Sequence, residues 1–245
     1  MTARLARAAA RAALLVALAA PAEAGRPLET EDTDTLDPGR YEIELGSDYA
    51  RDGGAHVWGA KGVFSAGILP RLEGRLEVPV ALIDPDGGPT VSGVADGLLG
   101  AKYRVVDEQP GWPALMAAVG LRLPLGDTGR GLGRDGLDVT ALGAASKTLG
   151  PLTATGNAAY TFVIGEDTPN FWTLGVSAES RVTPTVSLVG EVLGVLRSRQ
   201  ADVGRVRAGA TWEIRDDVKL DAAIGHGFGR DSPDVLVTVG VTIGF

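Results

Sequence analysis

The chain has no cysteine, so it can form neither a disulfide framework nor a thiolate metal site. Aromatic residues are only 5% of the sequence and there are just two histidines, His56 and His226, which leaves little material for a helical enzyme core or an imidazole-rich metal centre. Basic residues are outnumbered, 23 Lys and Arg against 31 Asp and Glu, so the chain lacks the electrostatic face that a nucleic-acid partner requires. After residue 24 no apolar run approaches the roughly 18 residues a membrane-crossing helix needs. What the chain has in quantity is glycine, at 35 residues, which suits many short strands joined by turns.

The beginning is laid out as an export signal. Arg4, Arg7 and Arg11 are followed by an apolar run from Ala12 to Ala20 and by the small-x-small site Ala22-Glu23-Ala24. Cleavage after Ala24 would start the mature chain at Gly25, and losing three Arg and one Glu would move its formal charge from −8 to about −10. Residues 25–38 (GRPLETEDTDTLDP) carry five acids and two prolines with little apolar content. They read as an extended lead-in, either solvated or tucked into a cavity.

From Gly39 to the end the pattern has period two. Tyr41, Ile43 and Leu45 alternate with Glu42, Glu44 and Gly46; Leu76, Val78 and Val80 alternate with Arg75 and Glu77; Ala154, Ala158, Tyr160 and Phe162 alternate with Thr153, Thr155, Asn157 and Thr161. Side chains on a strand alternate between faces, so each segment has one apolar and one polar face. Twelve strands are predicted, roughly 39–50, 55–68, 71–83, 93–106, 113–123, 137–149, 151–164, 170–182, 184–197, 203–215, 217–228 and 233–245. Two fit poorly: 137–149 has apolar residues in both phases, and 184–197 places Leu193 and Val195 on its polar face. Counts of ten or fourteen therefore stay open. Tight connections alternate with longer ones rich in Gly and Asp, as short periplasmic turns alternate with outer loops in outer-membrane barrels; DEQPGW at 107–112 is long for its side.

A soluble sandwich also has one buried face per strand. Strands of about 11–14 residues exceed the usual 5–6 of globular sheets and suffice to cross a bilayer when tilted. The last strand runs Val235, Val237, Val239, Val241, Ile243 and Phe245 without a break and stops on the aromatic. That ending resembles the assembly signal of bacterial outer-membrane proteins, which assigns Val239, Val241, Ile243 and Phe245 to recognition by the barrel-assembly machinery. The fold class expected is all-β, a transmembrane antiparallel up-and-down β-barrel at residues 39–245, in contact with lipids of the bacterial outer membrane.

RPLETEDTDTLDPGRYEIELG at 26–46, VADGLLGAKYRV at 94–105, GLRLPLGD at 120–127 and GNAAY at 156–160 resemble a family of bacterial outer-membrane transporters labelled for the meta pathway of phenol degradation. The resemblance covers most of the mature chain and implies uptake of aromatic or other apolar small molecules, without substrate-binding residues to carry over.

The polar phase supplies the candidate lumen lining: Lys61, Arg71, Glu73, Arg75, Glu77, Lys102, Arg104, Arg122, Glu179, Arg181, Glu191, Arg205, Arg207, Glu213, Lys219 and Asp221. A twelve-stranded lumen is narrow, and opposite charges at one depth would pair across it. The glycine-rich stretch GDTGRGLGRDG at 126–136 matches neither an EF-hand nor a P-loop and is expected to be an outer loop long enough to fold inward. No metal, cofactor or catalytic residue is expected. His226 is read as an interfacial residue rather than part of a triad with Ser232, and Tyr41, Tyr49, Trp58, Trp112, Tyr160, Trp172, Trp212, Phe228 and Phe245 as headgroup-level girdles. The function this supports is a channel for small solutes. A non-conducting structural or adhesive barrel is the alternative, and an outer-membrane lipid hydrolase a third reading.

Overall fold

The computed structural model describes residues 25–165, 168–198, 202–229 and 232–245. The expected export signal at 1–24 lies outside the described residues. The strands are β1 (Tyr41–Asp52), β2 (Ala55–Leu69), β3 (Leu72–Asp84), β4 (Val91–Val94), β5 (Gly97–Val106), β6 (Ala114–Leu123), β7 (Leu137–Leu149), β8 (Leu152–Ile164), β9 (Phe171–Arg181), β10 (Val186–Arg197), β11 (Val203–Arg215), β12 (Val218–Phe228) and β13 (Val235–Gly244).

Neighbours in sequence pair antiparallel, and β1 pairs with β13, so the sheet closes on itself. Both β4 and β5 pair with β3, which makes them two halves of one strand interrupted at Ala95-Asp96. The barrel thus has twelve staves. Closure pairs the backbone N–H and C=O groups of neighbouring strands all round the ring, and internal pairing is the condition for a sheet to exist in lipid.

The two phases part as the period-two pattern demands. Leu76, Leu99, Val176, Leu188, Val192 and Val239 are exposed on the outside, where bilayer hydrocarbon covers them, while Glu44, Ser65, Glu73, Lys102, Thr211 and Thr242 are buried inside. Outward aromatics meet across strand pairs: Tyr49 lies 4.5 Å from Trp58, and Tyr160 4.8 Å from Trp172, centroid to centroid. The two ill-fitting strands have a common explanation. Leu193 and Val195 point inward and join Ala55, Val57, Ile83, Phe171 and Val203 in an apolar cluster near the outer end of the lumen. Leu142 and Ala144 also point inward, with Met116, Ala118 and Ala159. The lumen wall is polar in part and apolar in part, so apolar residues in both phases mark dry patches of the interior rather than failed strands.

The short connections lie at the rim that holds Tyr41 and Phe245, which the rule for these barrels assigns to the periplasm. At this rim the long turn 107–113 is tied down: Gln109 pairs with Trp112, and Glu108 accepts from the backbone N–H of Thr148 at 3.0 Å and from Lys147 at 2.9 Å. These hydrogen bonds hold the Glu108 carboxyl below the usual carboxylate range.

Candidate functional site: a lumen filled by the N-terminal segment

Residues 25–38 run into the barrel from the periplasmic rim. Near the rim Leu36 N–H donates to Glu73 at 2.9 Å and Arg104 pairs with Asp34. Deeper in, the fully buried Glu31 accepts from Lys102 at 2.8 Å and from Arg75 at 3.0 Å. Its backbone N–H donates to Asn157 Oδ1 at 2.6 Å, and the Asn157 amide returns a bond to the Glu31 carbonyl at 2.8 Å. On the far wall the Glu191 carboxylate accepts from the backbone N–H groups of Glu29 and Thr30, at 2.9 and 2.8 Å, and from the Thr30 hydroxyl. Arg205 and Arg207 both donate to the Glu29 carboxylate. Arg26 then pairs with Asp221 at 3.2 Å and donates to Thr238 at 2.6 Å.

Segment and wall are complementary: Lys102, Arg75, Arg104, Arg205 and Arg207 meet Glu29, Glu31, Asp32 and Asp34, while Glu73, Glu191 and Asp221 take the segment's N–H groups and Arg26. A segment with so little apolar content could not be held by hydrophobic burial; charge-assisted hydrogen bonds from a partly desolvated wall hold it instead. Burial pushes the Glu31 carboxyl up, against the pull of Lys102 and Arg75. For Asp32 burial acts in the same direction, but Lys102 and the Asp34 N–H outweigh it and its carboxyl lies below the ordinary value.

Glycines make the room. Gly46 and Gly240 are register partners across the closing β1–β13 seam, and a Cβ at either would stand 1.8 or 2.2 Å from the Arg26 guanidinium. A Cβ on Gly67 would meet the Asp37 carbonyl oxygen at 2.1 Å, and one on Gly175 would lie 3.0 Å from Thr30 Oγ1. The sequence reading placed Gly46 in the polar phase but assigned Gly67, Gly175 and Gly240 to neither face, because a glycine adds no side chain to a period-two pattern. Their signal was the phase: each falls where a polar residue is due.

A second closure lies toward the outside. The connection 124–136 folds over the lumen as a lid. Leu132 at its tip is 1% exposed and completes the apolar cluster of Val57, Ile83, Leu193 and Val203. Asp96, at the break between β4 and β5, accepts from the N–H groups of Gly126 and Arg134 at 3.0 and 2.9 Å and pairs with Arg122 at 2.5 Å. Arg122 also donates to Asp138 and to the carbonyls of Arg134, Asp135 and Gly136. Asp127 caps a single 3-10 turn at Thr128–Arg130.

Among the residues proposed from the sequence, Glu73, Arg75, Lys102, Arg104, Glu191, Arg205, Arg207 and Asp221 contact the inserted segment or its ion pairs. Lys61 and Glu77 pair with each other at 3.7 Å, and Arg122 serves the lid. Lys219 and Glu179 also fall in the inward phase, Glu179 beside Arg181 and Glu213, which pair at 2.8 Å at the exposed periplasmic mouth. Arg71 stands at the periplasmic rim rather than along a strand: it sits in the turn after β2 with φ of 68° and pairs with Asp107, which also lies 3.7 Å from Arg104 Nε. The ladder shifts register between Gly67 and Leu69, so the alternation ends before Arg71. His226 lies on the outer face with Nδ1 2.6 Å from the Asp234 carbonyl oxygen, while the Ser232 hydroxyl donates to the Phe228 carbonyl.

A closed, polar-lined barrel with an apolar belt defines an outer-membrane β-barrel protein of the porin-like kind. The chain belongs to the family described as "Putative MetA-pathway of phenol degradation", which it matches over residues 24–245. No curated protein matches the sequence. Among solved structures it is similar to the KdgM porin in complex with disordered oligogalacturonate (TM-score 0.58, 10% identity, 83% of this chain and 99% of that one). It is also similar to the NanC porin (0.58, 8% identity, 83% and 98%) and to the beta domain of the Bordetella autotransporter BrkA (0.57, 13% identity, 85% and 100%). At such identities the likeness is one of fold.

Proposed function

We propose that the protein is an outer-membrane channel for small solutes whose lumen is closed at rest by its own residues 25–38. The observation that carries this reading is how the lumen is filled. A barrel built only as a scaffold can close its interior with side chains of the wall; here the stopper is a separate segment, joined to β1 at Gly39 and held by polar contacts that water or a solute can replace. Membership of a family named for phenol degradation favours aromatic or other apolar small solutes, and the apolar patches around Leu193 and Met116 give such molecules a compatible wall.

The same reading gives the chain no catalytic role, since the His226 ring and the Ser232 hydroxyl are engaged with backbone carbonyls rather than with each other. It also takes residues 1–24 as a cleaved export signal and β13 with Phe245 as the strand offered to the assembly machinery. Deleting Phe245 is then expected to lower outer-membrane yield while export continues.

The deciding experiment is single-channel recording and liposome swelling with the native mature chain and with residues 25–38 deleted. Deletion is expected to raise conductance and admit larger solutes. A folded, plug-deleted barrel that passes neither ions nor solutes would replace the channel by the structural barrel.

A further inference from the structure

Between the plug and the lid the lumen widens. Residues 26–29 below and Gly131, Gly133 and Arg134 above bound a cavity of about 210 Å³. Its wall is mainly apolar, with Val57, Ala81, Ala95, Ala223 and Leu236 facing Leu28 of the plug. A cavity of about 150 Å³ holds one benzene, so this one has room for a single ring with a small substituent.

Charged residues also line the chamber: Lys61 pairs with Glu77 and Arg122 with Asp96, while Arg205 and Arg207 converge on the plug. Arg205 and Arg207 stand two apart on β11 and therefore on one face. Their side chains are only 6% and 12% exposed, and both donate to Glu29 Oε1, Arg205 from Nη1 at 2.7 Å. Glu191 is the next acid, 3.7 Å from Arg207 Nε, and Asp48 stands on β1, three strands round the wall from β11. Two buried guanidinium groups converging on one oxygen are a receptor for a carboxylate. Glu29, the group now in it, belongs to the detachable segment.

We propose that Arg205 and Arg207 bind the carboxylate of a small single-ring acid entering the outer chamber, and that Glu29 is the built-in competitor it displaces. The inference rests on the channel reading above and names its solute class. A neutral ring fits the chamber by size but brings no charge to replace Glu29, and taking one partner out of a buried charge pair is strongly unfavourable even with Glu191 3.7 Å from Arg207 Nε. An incoming carboxylate exchanges one anion for another, and with Glu29 displaced the plug keeps on β11 only the 3.5 Å bond from Arg207 to the Pro27 carbonyl among the hydrogen bonds described.

The test uses the full mature chain folded in detergent, its fold checked by heat-shifted gel mobility, with benzoate and benzyl alcohol as probes at neutral pH. Calorimetry is expected to show benzoate binding at least tenfold tighter to Glu29→Gln than to the native chain. Adding Arg207→Gln should return benzoate to the weak level of benzyl alcohol, which itself responds to neither change. Arg207→Lys, which keeps the charge and loses the fork, should cost less than Arg207→Gln. Equal benzoate affinity for the native chain and Glu29→Gln, or no loss on Arg207→Gln, would overturn the assignment. Current recorded from the same preparations separates the two readings. Opening by Glu29→Gln without any preference for benzoate keeps the channel and removes the carboxylate site; the expected binding series without current in any variant keeps the site and removes the channel.

Discussion

Gly46 and Gly240 face each other across the seam that closes the barrel, and the Arg26 guanidinium occupies the space their missing side chains leave. The first part of the inserted segment is thereby seated on the joint between the first and last strands.

Gly240→Val fills that space. Its Cβ would stand 2.2 Å from Arg26 Nε, so the guanidinium must leave Asp221 and Thr238, while valine suits a strand. The expected result is higher conductance with unchanged heat-shifted mobility. A closed channel in a folded Gly240→Val barrel would show that the Arg26 contacts do not hold the plug.

Because the chain has no native cysteine, a single introduced pair reports cleanly. A Cβ on Gly175 would lie 3.8 Å from Thr30 Cβ, the usual separation in a disulfide. Thr30→Cys with Gly175→Cys should therefore cross-link the plug to β9 under oxidation and abolish current that dithiothreitol restores. Undiminished current in a cross-linked barrel would place the conducting path elsewhere.

Ion pairs at different depths should differ in worth. Glu31→Gln leaves Lys102 and Arg75 without the anion they share; breaking one partner out of a buried pair costs about 3–5 kcal/mol. Asp34, with its side chain 78% exposed, pairs with Arg104 where an ion pair is worth about 0–1 kcal/mol. Hydrogen exchange across residues 25–38 should accelerate strongly in Glu31→Gln and barely in Asp34→Asn. Equal effects would mean that the deep site is as wet as the mouth.

The division of faces predicts folding stability. Val176→Arg puts a charge in the lipid belt, at a cost of about 2–4 kcal/mol near the midplane, whereas Glu179→Gln at the mouth should change unfolding midpoints in vesicles by no more than a few tenths of a kcal/mol. Similar midpoints for both would invert inside and outside.

The barrel was legible because its pattern is local: alternation, turn spacing and the stripe from Val235 to Phe245 need no knowledge of what lies across the lumen. The polar face was legible for the same reason, down to Arg205 and Arg207. What the sequence did not reveal was pairing at long range. Nothing near Glu31 announces Lys102 and Arg75, and nothing near Asp96 announces the N–H groups of Gly126 and Arg134 that it holds. The apolar residues Leu193 and Val195 looked like breaks in the alternation because their partner, Leu132, lies on a loop some sixty residues earlier. Residues 25–38 could be read as solvated or inserted, since an acidic, proline-containing stretch is compatible with both until the charge of the wall is known.

The seat of Arg26 has a consequence for the timing of maturation. Its contacts come from β12, β13 and β1, so it does not exist until the end of the chain has returned to the beginning. The Arg26 end of the segment that leads the barrel in sequence can thus take its place only after the last strand has met the first, whereas Glu31 needs only β3, β5 and β8. An occupied Arg26 seat therefore marks a barrel whose first and last strands have joined.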